Sequence, residues 1–139
     1  MPKIQTEVTI SAAHLVQTTD SPCSRLHGHN WKFVIGCEGD ILEDGMIVDF
    51  IHIKNFVKEL DHKLLLPADI CIVDSRTENV TFIVKDKKYS IPHEDCMLID
   101  ITSITAENLA RWVSTSLSGM YTGTFIVRVY ESETSFAEE

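Results

Sequence analysis

His27 and His29 flank Gly28 at the start of a stretch, residues 27–38, in which apolar residues recur at alternate positions. In an extended strand, residues two apart point the same way. Both imidazoles therefore fall on the face that also carries Trp31, Phe33, Ile35 and Cys37. His14 holds the corresponding parity in residues 3–14, shared with Ile4, Val8, Ile10 and Ala12. If the two strands pair, three imidazoles converge. Neutral imidazole nitrogens at about 2.0–2.1 Å suit zinc, and three protein ligands leave a fourth position for water or substrate, the pattern of a catalytic site. A lone histidine on an apolar face is ordinarily a core or strand-end residue. Three on matching faces, with a glycine easing close approach, point to a metal. His52 and His93 carry no such pattern and read as a helix-surface and a loop residue.

Other groups gather around this trio in the sequence. Cys23 lies four residues before His27, in a loop containing Pro22. A thiolate there could act as a base if nearby positive charge lowered its pKa; the plainer reading is a small buried thiol. Asp61 and His62 follow a predicted helix. They form either a carboxylate-oriented proton carrier or a solvated helix end in which His62 complements the dipole. Glu131 falls on the apolar parity of the last strand, where a carboxylate needs a partner. Thr105 is explained by helix capping, and Glu107 by a first-turn acid.

The elements that must position these residues follow from periodicity. Residues 3–14 and 27–38 are half-buried strands, and Met46 to Val48 is a further short strand. Asp49 caps a helix with Ile53, Phe56, Val57 and Leu60 on one face and ending near Asp61-His62. Residues 70–73, 80–85 and 89–91 read as short strands, with Asp86-Lys87-Lys88 as a hairpin tip. Thr105 opens a second helix with Ala106, Leu109, Ala110, Val113 and Leu117 as its stripe, ended by Gly119 and Gly123. Residues 124–131 form the last strand. Antiparallel strands with separate helices indicate an α+β domain with both helices on one sheet face.

The protein has 139 residues, about the size of one domain. It is 44% hydrophobic and 24% charged, ordinary for a globular protein. It holds 12 Lys and Arg against 21 Asp and Glu, a net charge of −9, which disfavours general binding to nucleic acid or anionic membrane. No apolar run is long enough to span a bilayer, and the N-terminus shows no secretory signal. Cys23, Cys37, Cys71 and Cys96 form no CxxC pair and read as the reduced thiols of a cytoplasmic protein.

Six segments occur in a telling order: Ser11-Ala12-Ala13-His14, Cys23-Ser24-Arg25-Leu26-His27-Gly28-His29-Asn30-Trp31, Gly45-Met46-Ile47-Val48-Asp49-Phe50, Leu60-Asp61-His62, Thr105-Ala106-Glu107-Asn108-Leu109-Ala110 and Tyr130-Glu131. The set resembles the 6-pyruvoyl-tetrahydropterin synthase / 6-carboxy-tetrahydropterin synthase family. It spans residue 11 to about 137 and is weakest between about 66 and 102. The resemblance implies a T-fold: a four-stranded antiparallel sheet with two helices on one face, here with an inserted hairpin over about 70–101. Subunits of such a fold join into a barrel as trimers or hexamers, with the site between them. It also implies Zn2+ on His14, His27 and His29. Cys23 becomes the proton-abstracting residue, Asp61 and His62 a linked relay, and Glu131, Thr105 and Glu107 the residues holding a small-molecule pterin substrate.

The three residues between Cys23 and His27 resemble the carboxy branch of the family. That branch implies a zinc lyase converting 7,8-dihydroneopterin triphosphate to 6-carboxy-5,6,7,8-tetrahydropterin, acetaldehyde and triphosphate, on the way to 7-deazaguanine bases such as queuosine or archaeosine precursors. The alternatives are a 6-pyruvoyl-tetrahydropterin synthase, which eliminates triphosphate, and a non-catalytic pterin-binding T-fold protein. Arg25, Lys32 and Lys54 are candidate phosphate donors. Departures from the family pattern are Ile104 where proline is usual before Thr105, Ser132-Glu133-Thr134 near the end, and the length of residues 66–102.

Overall fold

A ribbon of two long strands dominates the architecture. The computed structural model describes residues 1–139. β1 (Lys3–His14) pairs antiparallel with β2 (His27–Glu38) along its whole length, with Val8 opposite Phe33, Ile10 opposite Trp31 and His14 opposite His27. The alternation holds: Thr6, Val8, Ile10, Ala12 and His14 are buried, whereas Lys3, Gln5, Glu7, Thr9 and Ser11 are exposed. One face of the ribbon is thus core and the other is open.

α1 (Phe50–Lys58) and α2 (Ala106–Met120) pack on the core face. Asp49 caps α1 by accepting from the Ile51 N–H at 3.0 Å. A nine-residue helix is marginal alone, since isolated helices shorter than about 12–15 residues barely form in water. Burial of Ile53 and Val57, with Leu60 just beyond, supplies what propensity cannot. Thr105 caps α2 by accepting from the Asn108 N–H at 3.2 Å, and the expected stripe of Ala106, Leu109, Ala110, Val113 and Leu117 is buried. Gly119 does not stop this helix, which continues to Met120.

The remaining strands are β3 (Lys63–Pro67), β4 (Ile72–Val73), β5 (Asn79–Val84), β6 (Lys87–Pro92), β7 (Cys96–Ile99), β8 (Thr124–Ser132) and β9 (Ser135–Glu138). They complete a six-stranded sheet of order β7-β3-β1-β2-β8-β9 and a separate three-stranded sheet β4-β5-β6. The main sheet thus has six strands where four were expected, and β3 runs parallel to both β1 and β7. The run Leu64-Leu65-Leu66 shows no alternation because β3 is covered on both faces. Leu65 joins the main core, while Leu64 and Leu66 enter a second cluster with Leu15, Val80, Phe82, Val84 and Cys96.

Residues 46–48 form no strand. They follow a turn over residues 42–46, closed by the Met46 carbonyl accepting from the Leu42 N–H, and lead as irregular backbone into the Asp49 cap. The inserted region ends where β7 rejoins the main sheet, so Cys96–Ile99 belongs to the main sheet and not to the hairpin. The hairpin turn falls at Lys85-Asp86, both with positive φ (52° and 65°), one residue earlier than expected. No helix is long and apolar enough to cross a membrane.

Candidate metal centre

His14, at the end of β1, and His27 and His29, at the start of β2, are brought together by the ribbon register. Their ring centroids lie 4.5 Å (His14–His27), 5.1 Å (His14–His29) and 4.8 Å (His27–His29) apart. With a Glu131 carboxylate oxygen, their ligand atoms all fall within 4.8 Å of one another. Trp31 forms the floor, edge-on to His14 at 4.9 Å and to His29 at 5.2 Å, with its indole N–H donating to the Ala12 carbonyl.

The hydrogen bonds of the rings select the form that binds metals. Nδ1 of His14 lies 2.8 Å from the Ile104 carbonyl, and Nδ1 of His27 lies 2.6 Å from the Arg25 carbonyl. A carbonyl oxygen only accepts, so both Nδ1 atoms carry a proton, which leaves Nε2 as the ring nitrogen that can bind a metal. Burial pushes the His14 pKa down to about 4; the Ile104 carbonyl opposes this and the neighbouring His27 and His29 add to it. His14 is therefore neutral at neutral pH. Nε2 of His14 and of His29 are buried without a hydrogen-bond partner. Glu131 Oε1 stands 2.9 Å from His29 Nε2 and 3.7 Å from His14 Nε2, and neither contact has the geometry of a hydrogen bond. Buried polar atoms are rarely left unpaired, and two unpaired ring nitrogens beside a carboxylate are the donor set that a divalent metal ion would satisfy.

Cys23 sits exposed in a short 3-10 turn, Pro22–Ser24, anchored to the end of β1 by the Val16 N–H donating to the Cys23 carbonyl at 2.8 Å. Ser21 caps the turn by accepting from the Cys23 N–H at 3.3 Å. The other thiols are less exposed. Burial pushes Cys71 up to about 11 and raises Cys37 and Cys96 as well. All four cysteines are free.

Asp61 and His62 are paired with each other but do not belong to the cluster formed by the three imidazoles and Glu131. Asp61 Oδ1 accepts from the Ser11 N–H at 2.8 Å and lies 3.1 Å from His62 Nδ1. The Ser11 N–H holds the Asp61 carboxyl below the usual carboxylate range, with His62 contributing. His62 adopts φ 60° while its N–H donates to the Ser11 carbonyl. Its exposed ring lines a shallow cavity with Ser11, Ala13, Gly28 and Asn30 of the open face, and Ala12 and His29 also border that cavity. The three imidazoles occupy the opposite face of the same ribbon.

Glu131 lies where its parity predicted, at the irregularity that joins β8 to β9. Thr105 caps α2 and Glu107 is exposed in its first turn, so both stand at the helix start next to the Ile104 carbonyl that holds His14. Of the three candidate phosphate donors, Lys32 faces the open side over the Tyr130 ring, and Lys54 is exposed on α1. Arg25 is at the strand end beside the histidines, its carbonyl bound to His27. The carbonyls of Arg25 and Ile104 were invisible to sequence reasoning, because a main-chain acceptor leaves no residue-type signature.

The protein belongs to the 6-pyruvoyl tetrahydropterin synthase family, whose profile matches residues 3–139. A Pyrococcus horikoshii protein provisionally named a 6-carboxy-5,6,7,8-tetrahydropterin synthase is 34% identical over 123 residues, spanning 86% of this sequence and 76% of that protein. The Haemophilus influenzae 6-carboxy-5,6,7,8-tetrahydropterin synthase is 29% identical over 148 residues, spanning 98% and 96%. The crystal structure of a Plasmodium vivax 6-pyruvoyl tetrahydropterin synthase superposes with a TM-score of 0.73 at 24% identity, spanning 100% of this protein and 98% of that one. That likeness shows a shared fold, the T-fold.

Proposed function

We propose that this protein is a zinc-dependent 6-carboxy-5,6,7,8-tetrahydropterin synthase, a lyase that converts 7,8-dihydroneopterin triphosphate to 6-carboxy-5,6,7,8-tetrahydropterin, acetaldehyde and triphosphate in the cytoplasm. The observation that carries this reading is the convergence of His14, His27 and His29 with free, buried Nε2 atoms on His14 and His29. The names of the relatives support the product, and the Cys23-to-His27 spacing agrees with them.

His14, His27 and His29 would hold the zinc, since three imidazoles leaving one open position match its preference in catalytic sites. Zinc held there supplies a Lewis acid that raises the acidity of the C–H groups next to the substrate's hydroxyls. Cys23 Sγ, as thiolate, takes the proton. His62 carries protons to and from the reacting carbons, oriented and stabilised in its charged form by Asp61 through Nδ1. Because Asp61 and His62 open on the other face of the ribbon, they serve the site of a neighbouring subunit in a homo-oligomer, a trimer or hexamer. Glu131 accepts the pterin amino group and ring N–H in parallel. Thr105 and Glu107 border the same ring.

Turnover of 7,8-dihydroneopterin triphosphate tests the reading, with acetaldehyde and the pterin product both measured. Acetaldehyde in equal amount to 6-carboxytetrahydropterin supports it. Loss of triphosphate with every substituent carbon retained on the pterin indicates a 6-pyruvoyl-tetrahydropterin synthase, and pterin binding without turnover indicates a non-catalytic member.

A further inference from the structure

Three successive carbonyls just before α2 are each taken by a side-chain donor. The Thr102 carbonyl accepts from Gln17 Nε2 at 2.7 Å, the Ser103 carbonyl from Asn108 Nδ2 at 3.0 Å, and the Ile104 carbonyl from His14 Nδ1 at 2.8 Å. Residues 100–104 are irregular backbone, so no helix or sheet ladder fixes the direction of the Ile104 carbonyl. Two of the three donors leave the same end of β1, and they tie it to the segment that delivers Thr105 and Glu107.

Gln17 has a second peculiarity. Its Oε1 is buried without a hydrogen-bond partner, a condition it shares only with the ring nitrogens of His14 and His29 among buried side-chain polar atoms. An orphaned acceptor is unfavourable. The amide is therefore explained by what its N–H group holds, the Thr102 carbonyl at 2.7 Å.

We propose that Gln17 is a positioning residue for the metal centre. By gripping the Thr102 carbonyl it keeps the Ile104 carbonyl against His14 Nδ1, and so keeps His14 Nε2 aimed at the point it shares with His27 and His29. The inference rests on the metal reading given above. Asn108 braces the same segment from α2, through both the carbonyl and the hydroxyl of Ser103. Ligand residues lose affinity when the groups orienting them are removed, by about 10- to 100-fold in known metal sites.

The test is metal affinity by chelator competition with Zn2+, and with Co2+ followed by its visible spectrum, on the full-length protein. Each variant is paired with the melting temperature of its metal-free form. Wild type should bind one ion per subunit. Gln17→Met, equal in length but without a donor, should bind about 10- to 100-fold more weakly and alter the cobalt spectrum, while the metal-free melting temperature stays within a few degrees because the orphaned oxygen goes too. Gln17→Glu, which turns an acceptor toward the Thr102 carbonyl, should weaken binding likewise and replaces Gln17→Met if that variant does not fold. Unchanged affinity in these variants, with or without a lower melting temperature, overturns the proposal. If wild type itself binds no ion, the metal reading fails, and this inference with it.

Discussion

Trp31 lies edge-on to His14, ring centroids 4.9 Å apart and planes at 82°, with its indole N–H donating 3.2 Å to the Ala12 carbonyl of the adjoining strand. One fully buried residue therefore shapes the floor of the imidazole cluster and ties the two histidine-bearing strands together. Trp31→Ala should lower unfolding free energy by about 3–5 kcal/mol. Trp31→Phe, which keeps a ring but leaves the Ala12 carbonyl without this donor, should cost about 1–3 kcal/mol. Denaturant unfolding of the metal-free protein measures both, and a Trp31→Phe variant as stable as wild type would show that the indole N–H contributes nothing.

Cys23 stands in an exposed turn outside the imidazole cluster. Cys23→Ala should abolish turnover, a loss of at least about 100-fold for a missing acid–base group, and still retain one zinc per subunit. Substantial residual activity would remove Cys23 from the proton transfer. Loss of zinc would make it a ligand instead.

Asp61 carries the pH dependence most open to test. Its carboxyl is held below the usual range by the Ser11 N–H, and a folded-state pKa below the unfolded value stabilises the protein above the unfolded pKa of about 4. That contribution is present at neutral pH and lost as pH falls through the folded pKa. Asp61→Asn should thus be less stable than wild type at pH 7, with the gap closing toward about pH 3. Denaturant unfolding at both pH values measures it, and a gap that is constant or widens in acid contradicts the assignment.

Gly123 has φ +109°, and a Cβ built on it would meet Cys37 Sγ at 2.8 Å and the Glu38 carbonyl at 3.0 Å. Both the conformation and the space exclude a larger residue. Gly123→Ala should destabilise by about 2 kcal/mol or more, since a left-handed residue alone costs roughly 1–2 kcal/mol and the clash adds to it. A thermal melt within a degree of wild type would contradict this.

The legible parts of the fold were those governed by one period and one covered face. β1 and β2 alternate cleanly because only one side is buried, and this same alternation placed His14, His27, His29 and Glu131 on a common face. Asp49 and Thr105 marked both helix starts by their capping side chains. β3 was hidden because burial on both faces erases alternation. The expected strand at Met46 to Val48 arose from apolar residues, of which Ile47 and Val48 fill the core from irregular backbone. At the site, the Arg25 and Ile104 carbonyls had no pattern to betray them because main-chain acceptors carry no residue-type signal, and the Ile104 and Gln17 contacts also join residues some 85–90 positions apart. The placement of Asp61 and His62 on the far face of the ribbon follows from hydrogen bonds to Ser11 and a left-handed residue, neither of which periodicity reports.

Everything proposed for this protein depends on three imidazoles holding a divalent ion. Elemental analysis of material purified without a polyhistidine tag, wild type beside His27→Ala, measures that directly. One zinc per subunit in the wild type and none in His27→Ala is the expected result; a wild-type protein that is folded yet carries no stoichiometric metal, and takes up none when zinc is supplied, would contradict it.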